Sequence, residues 1–329
     1  MALADQQRPY KQNAGGNVKY NALIIGAGSI GSTKPDQYDS PTTKNILTHA
    51  HAVSTHENIR LSGIIDSDYE KALKAADKWG CVWFTGIDGL IGDDIVVIAT
   101  PTETHLEMVQ QVKAKLNPKI IILEKPCGMN LDQARNIKAI AGNTPIAVNY
   151  IRRYDPVIQN QRENLLRSTV YSATFKYCRG MIRDGSHMID ILNWFFGDCL
   201  LFEKHSPVYE DYSPEDPTYS AHAIWARCPL VSIQAINGMV CDMFELDVMT
   251  SIGSYRLVNH FNQQKVRILD SEKMYGNYTS LNETDEIVNN TFLGTDMLRL
   301  YDNVIGYLEG REALKCTIDD AIKVHEVIV

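Results

Sequence analysis

The sequence predicts an α/β domain built on a doubly wound parallel sheet, followed by an α+β domain with a large, mostly antiparallel sheet. Three observations carry this. From Tyr20 to about Tyr150 short apolar runs alternate with longer amphipathic stretches, the texture of β-α-β units. After Tyr150 strand-like segments follow one another with few helices between them. The 329 residues exceed what one hydrophobic core usually supports, so two domains are expected, at 19–150 and 151–329.

Composition narrows the function classes. A hydrophobic fraction of 44% and a charged fraction of 22% are ordinary for a globular enzyme. A net charge of -8 argues against nucleic acid or an anionic membrane surface as the main partner. Seven scattered cysteines, odd in number and without a C-x-x-C pair, fit a reduced, cytoplasmic interior better than a disulfide framework. No apolar run reaches the roughly 18 residues of a membrane span. Residues 1–18 read as a polar arm without a signal-like apolar core.

The first strand, "NALIIGA", runs into the loop Gly26, Gly28, Ser29, Ile30, Gly31 of "LIIGAGSIG". Glycines at these points permit a tight turn and close backbone approach to a pyrophosphate, whose charge a helix N-terminus favours. The second strand, "IRLSGIID", ends in Asp66. An acid there accepts hydrogen bonds from ribose hydroxyls and repels a 2′-phosphate, which predicts NAD rather than NADP. The bland alternative makes Asp66 a turn residue. Between glycine loop and second strand lies too much chain for one helix, so an inserted loop at about 32–46 is expected, a surface excursion or a cofactor lid, then a helix from about Asn45 to His56.

The strands "DIVVIAT", "KIIILEKP" and "TPIAVNY" complete the first sheet. Between them, Leu106, Val109, Val112 and Leu116 recur at helical spacing, with Thr104 and Glu107 as an expected capping box. A second helix begins at Asn130 with Gln133 behind it and stops at Gly142-Asn143. In the second domain "VYSATFKYC", "YSAHAIWARC", "LVSIQAING", "MFELDVMTSIG" and "KVRILD" read as strands, "GSHMIDILNWFFG" and "DMLRLYDNVIGYLEG" as helices.

In the first of those helices His187 and Asp190 are three apart and share a face, within a helix apolar on almost every side. A buried histidine and carboxylate need partners, and a satisfied core pair is the bland explanation. A histidine titrating near neutrality also suits removal of a hydroxyl proton. Arg183, with Arg179 nearby, suggests an anionic substrate group, since guanidinium forks bind carboxylate and phosphate. The histidines at 49, 51 and 56 lack a convincing acid or cysteine set, so no metal is expected.

With "GAGSIG", "IID", "VVIATPTETHLEMV", "ILEKPCGMN" and "VNYIRRYDP" in this order, the chain resembles the Gfo/Idh/MocA oxidoreductase family from about residue 20 onward. The resemblance implies a Rossmann domain carrying NAD(P), then a domain whose open-faced sheet hosts substrate and often subunit contacts, hence a homo-oligomer. Substrates in the family are commonly sugars, cyclitols, their acids or nucleotide-linked forms. It further implies that Glu124 and Lys125 of Glu-Lys-Pro lie beside nicotinamide and substrate, with Pro126 often cis. Thr100, Pro101 and Thr102 flank the nicotinamide ribose, and Asn149 lies at the nicotinamide end. His105 serves the cofactor site or only polarises its helix. Arg153 contacts substrate or ties the domains.

In the pattern Gly185-x-His187-x-x-Asp190 the resemblance makes His187 the general acid/base facing substrate, with Lys125 stabilising the alkoxide. Asp190 orients His187 or supports its charged form. Many members carry an aspartate four residues before the histidine; here Arg183 stands there and Asp184 follows, reaching substrate or capping the helix. The reading is an NAD-dependent dehydrogenase or reductase. Its rivals are an enzyme using NAD transiently during elimination or isomerisation, and a non-catalytic NAD-sensing regulator.

Overall fold

The computed structural model describes residues 19–90, 92–273, 279–283, 288–289 and 294–328. The polar arm expected at 1–18 lies outside them. The chain divides into two compact units, one running to Tyr154 and returning through residues 294–322, the other taking Asp155–Phe292 and the last residues.

In the first unit β1 (Tyr20–Ile25), β2 (Ile59–Ile65), β3 (Val82–Phe84), β4 (Ile95–Ile98), β5 (Ile120–Leu123) and β6 (Ile146–Val148) form one sheet. Its order is β3-β2-β1-β4-β5-β6, parallel throughout. β4 and β5 are buried at every position, as strands covered on both faces must be, which explains their unbroken Ile and Val runs. The helices are α1 (His49–Thr55), α2 (Tyr69–Trp79), α3 (His105–Lys115) and α4 (Leu131–Ala141). The short edge strand β3 was not anticipated.

One of two expected helix starts differs from expectation and the other holds. Thr104 makes no side-chain cap to α3; its hydroxyl instead donates to Pro101 O at 2.7 Å and Thr100 Oγ1 at 2.8 Å, because a 3-10 turn, Thr102–Thr104, precedes the helix. At α4 Asn130 does cap Gln133 N, while Gln133 reaches back to Met129 N.

The insertion is a fastened loop. Asp39 is fully buried and accepts from Leu47 N at 2.9 Å, Thr48 Oγ1 at 2.7 Å and the His51 ring at 2.8 Å. The last turn of α2 grips the same loop, with Lys78 Nζ on the carbonyls of Lys34 and Asp39 and Trp79 Nε1 on that of Ser32. Thr48 caps α1, which therefore starts four residues later than its expected start near Asn45.

In the second unit α5 (Pro156–Leu166), β7 (Val170–Tyr177), α6 (Ser186–Phe196), β8 (Cys199–Ser213), β9 (Asp216–Trp225), β10 (Cys228–Ala235), β11 (Phe244–Thr250), β12 (Gly253–Val258), β13 (Gln263–Lys273), β14 (Thr279–Glu283) and β15 (Val288–Asn289) follow in order. The strands make a nine-stranded sheet, β14-β13-β12-β11-β7-β10-β9-β8 with β15 on β13. Among the described residues only the β7 and β10 pair is parallel. β8, β12, β14 and β15 were not foreseen.

The chain closes with α7 (Asp296–Leu308) and α8 (Ile318–Ile328). The helix α7 groups with the first unit, not with the 151–329 region where it was expected. Its apolar face explains this: Met297, Leu300, Tyr301, Val304 and Ile305 are buried in one cluster with Ile24, Val53, Ile64 and Val97. Among the described residues no helix is long and apolar enough to cross a membrane.

Candidate functional site

In the first unit the expected cofactor residues gather at the carboxyl ends of the parallel strands, where open α/β sheets bind ligands. The glycine loop is set by close packing. A Cβ on Gly26, whose φ is +108°, would stand 2.5 Å from Ala99 O, and one on Gly31 would overlap the carbonyl of Gly26. At Gly28 a Cβ would meet nothing within 4 Å, so that side of the loop is open.

The loop also keeps its helix despite the insertion. His49 N donates to Ile30 O at 3.0 Å and Ala50 N to Gly31 O at 2.9 Å, so the glycine turn stacks on α1 as a detached first turn. Among the described residues no acceptor takes the amides of Gly28, Ser29, Ile30 or Gly31. Four adjacent donors around an open glycine form a cradle that fits a pyrophosphate.

Asp66 is tied to this loop. One carboxylate oxygen accepts from Ala27 N and the other from Asp68 N, both at 2.9 Å. Each oxygen keeps a lone-pair direction for a further donor.

Glu124 and Lys125 follow β5. Glu124 N still pairs with Ile98 O of the ladder, and the Lys125-Pro126 bond is cis. The Glu124 side chain is buried, where Oε1 accepts from Asn149 Nδ2 at 2.6 Å and from the His49 ring at 2.9 Å. Burial pushes its carboxyl up, but the hydrogen bond from His49, the Asn149 amide and the charge of Lys125 outweigh that and hold it below the ordinary glutamate value. Lys125 is half-buried. With its amide committed to Glu124, Asn149 keeps a buried Oδ1 without a donor among the described residues.

His105 is fully buried, its ring nitrogens at 3.0 Å from Thr100 O and 3.3 Å from Cys127 O. Burial lowers its pKa in spite of these carbonyls, and a neutral ring, with one N–H, donates to only one of the two. Thr100 and Thr102 are half-buried and Pro101 exposed beside it. Arg153 is buried, donating to Lys315 O at 2.9 Å and pairing with Asp320 at 3.1 Å, all within this unit.

The second unit carries the other candidates. The chain enters α6 through a π-helical turn, Gly180–Gly185, that holds Arg183 and Asp184, and no side chain caps the helix. Asp184 is therefore not an N-cap. Asp216 of β9 anchors the turn, accepting from Ile182 N at 2.7 Å and Arg183 N at 2.9 Å. The Arg183 guanidinium lies 4.3 Å from the Tyr212 ring centre, a cation-π stack that presents a flat, braced cation. His187 is half-buried and Asp190 buried on α6.

Sequence reasoning missed His49 and Tyr301. His49 was set aside with its neighbours for want of a metal-ligand pattern. Instead the three histidines take three separate carboxylates, His49 on Glu124, His51 on Asp39 and His56 on Asp302. The one available signal was Glu124 itself, an acid closing an apolar strand that needs a buried donor. Among the described residues no group of three or more metal-ligating side chains is assembled.

A parallel sheet in this order, a glycine cradle and an acid at the second strand define a dinucleotide-binding domain. Residues 20–150 match the model of the oxidoreductase family with an NAD-binding Rossmann fold. The inositol 2-dehydrogenase of Rhizobium meliloti (strain 1021) is 29% identical over 137 residues, 40% of this chain and 36% of that protein. The UDP-N-acetylglucosamine 3-dehydrogenase of Acidithiobacillus ferrooxidans is 31% identical over 120 residues, 36% of this chain and 38% of that protein. The matched stretches thus span well under half of these relatives. The crystal structure of the WlbA dehydrogenase from Bordetella pertussis in complex with NADH and UDP-GlcNAcA shares the fold, with TM-score 0.73 at 15% identity over 95% of this chain and 94% of that one. Residues 20–150 are thus similar to the NAD-binding Rossmann domain of the Gfo/Idh/MocA oxidoreductases.

Proposed function

We propose that the chain is a cytoplasmic, homo-oligomeric NAD-dependent dehydrogenase or reductase, acting on a carbinol or carbonyl of a sugar, cyclitol, sugar acid or nucleotide sugar. The observation that carries this is the cradle of Gly28 to Gly31, four unpartnered amides in the same unit as Lys125. The residues present fit NAD: the amides would take the pyrophosphate, Asp66 the adenosine ribose, Thr100, Pro101 and Thr102 the second ribose, and Asn149 Oδ1 a nicotinamide N-H donor.

Bound nicotinamide supplies the hydride acceptor. Lys125 stabilises the developing alkoxide by charge and hydrogen bonding, strongest where water is excluded. His187 accepts the hydroxyl proton, with Asp190 orienting the ring and Asp184 beside the substrate. Arg183, braced by Tyr212, takes an anionic substituent where the substrate carries one. The part played by His105 is indirect, since it holds the Thr100 carbonyl rather than a ligand. Arg153, expected to contact substrate or to tie the domains, is engaged with Asp320 and Lys315 and supports the scaffold.

The test is nicotinamide absorbance while the protein is mixed with NAD or NADP and a panel of sugars, cyclitols, sugar acids and nucleotide sugars. Turnover is expected with NAD over NADP by roughly tenfold or more, the size of about 1.4 kcal/mol. Lys125→Met should abolish it while leaving NAD affinity within about threefold. Tight NAD binding with no net NADH from any panel member would shift the reading to transient redox or sensing.

A further inference from the structure

We propose that His49 is a positioning residue for Lys125, acting through Glu124 to fix the direction and the charge of the lysine. The imidazole has no exposure and both nitrogens are committed, Nδ1 at 2.8 Å from the Tyr301 hydroxyl and Nε2 at 2.9 Å from Glu124 Oε1. An ionised carboxylate only accepts, so Nε2 donates. Burial holds the Tyr301 phenol well above its ordinary pKa, so its O-H is present to donate to Nδ1. The tautomer is thereby set from one side by Tyr301 and read on the other by Glu124.

The consequence passes to Lys125 through chain geometry. Glu124 is still in the sheet ladder, bonded to Ile98 O, and successive side chains in a strand point to opposite sides. With Glu124 pinned inward by His49 and Asn149, Lys125 is turned the other way. Two donors on Oε1 favour the ionised carboxylate against its burial. That carboxylate, adjacent in sequence, is a fixed counter-charge that favours the ammonium form of Lys125. Among the described residues the His49 ring nitrogens hydrogen-bond only Tyr301 and Glu124, so Tyr301 anchors the side away from Glu124.

The two amide replacements separate these contacts. A glutamine can place its amide nitrogen where Nε2 stands and keep the bond to Glu124, whereas an asparagine reaches only the Nδ1 position beside Tyr301. Acetylation of the full-length protein with acetic anhydride, followed by peptide mass spectrometry at Lys125, reads the lysine without any cofactor. His49→Asn should label Lys125 about threefold faster than wild type, the change in free amine for half a pKa unit. His49→Gln should label within about twofold of wild type, and Tyr301→Phe, which keeps the packing, should fall between the two.

The kinetic arm rests on the dehydrogenase reading. There kcat should drop about tenfold in His49→Asn and be largely restored in His49→Gln, with KM and NAD affinity nearly unchanged. Equal labelling of Lys125 in wild type, His49→Asn and Tyr301→Phe would overturn the proposal. So would parallel losses of kcat and melting temperature in the Asn and Gln variants alike. If wild type neither binds nor reduces NAD, the dehydrogenase reading fails while the labelling arm still decides the role of His49.

Discussion

His105 and His49 sit in the same unit and show how burial sorts histidines. His49 is held between a phenol and a carboxylate. His105 meets only carbonyls, and burial depresses its pKa below the ordinary 6.5. The linkage has a definite sign. The unfolded chain binds a proton at this residue more readily than the folded one, so stability falls as pH drops through 6.5. Melting temperature should therefore decline as pH falls through and below about 6.5, and His105→Gln should flatten the decline. A slope unchanged by that substitution would mean that burial of this ring does not carry the pH dependence.

The inserted loop belongs to the scale of elements. Its position inside the first turn of a dinucleotide helix would ordinarily break the stacking of glycine loop on helix. The bonds from His49 N and Ala50 N to the carbonyls of Ile30 and Gly31 restore it across the gap. Asp39 makes this possible, since one buried carboxylate satisfies Leu47, Thr48 and His51 at once. Burial raises its pKa, but the hydrogen bonds from His51, Leu47 and Thr48 and the His51 charge outweigh that, and the net value is lowered. Removing one partner of such a buried pair usually costs about 3–5 kcal/mol. Asp39→Ala should lose stability on that order in urea denaturation and weaken NAD binding through the displaced glycine turn. A loss below about 1 kcal/mol would show the loop to be a passive excursion.

On the scale of the whole molecule, the first unit is not a contiguous piece of chain. Its core takes Leu300, Tyr301 and Val304 from α7, far along the sequence from the six strands. Leu300→Ala should destabilise the chain by about 2–5 kcal/mol and lower NAD affinity, although residue 300 lies well outside the family match at 20–150. An unchanged urea midpoint with unchanged NAD affinity would mean that α7 only rests on the unit. The same re-entry brings Tyr301 to His49, so the anchoring of Glu124 depends on it.

Periodicity alone determined the parallel sheet, because its strands are buried on both faces and must be continuous Ile and Val. It also placed the glycine loop, Asp66 and the Glu124-Lys125 pair, whose chemistry is local to strand ends. β8 escaped notice because an edge strand, largely exposed and carrying Glu203, Lys204 and Pro207, has no apolar face to alternate. β3 escaped because three residues hold no period. Only the tertiary structure assigned α7 to the first unit and gave Glu124 its donors. A helix's apolar stripe says that it packs and not upon what, and a hydrogen bond between residues 49, 124 and 301 leaves no spacing for a sequence to record.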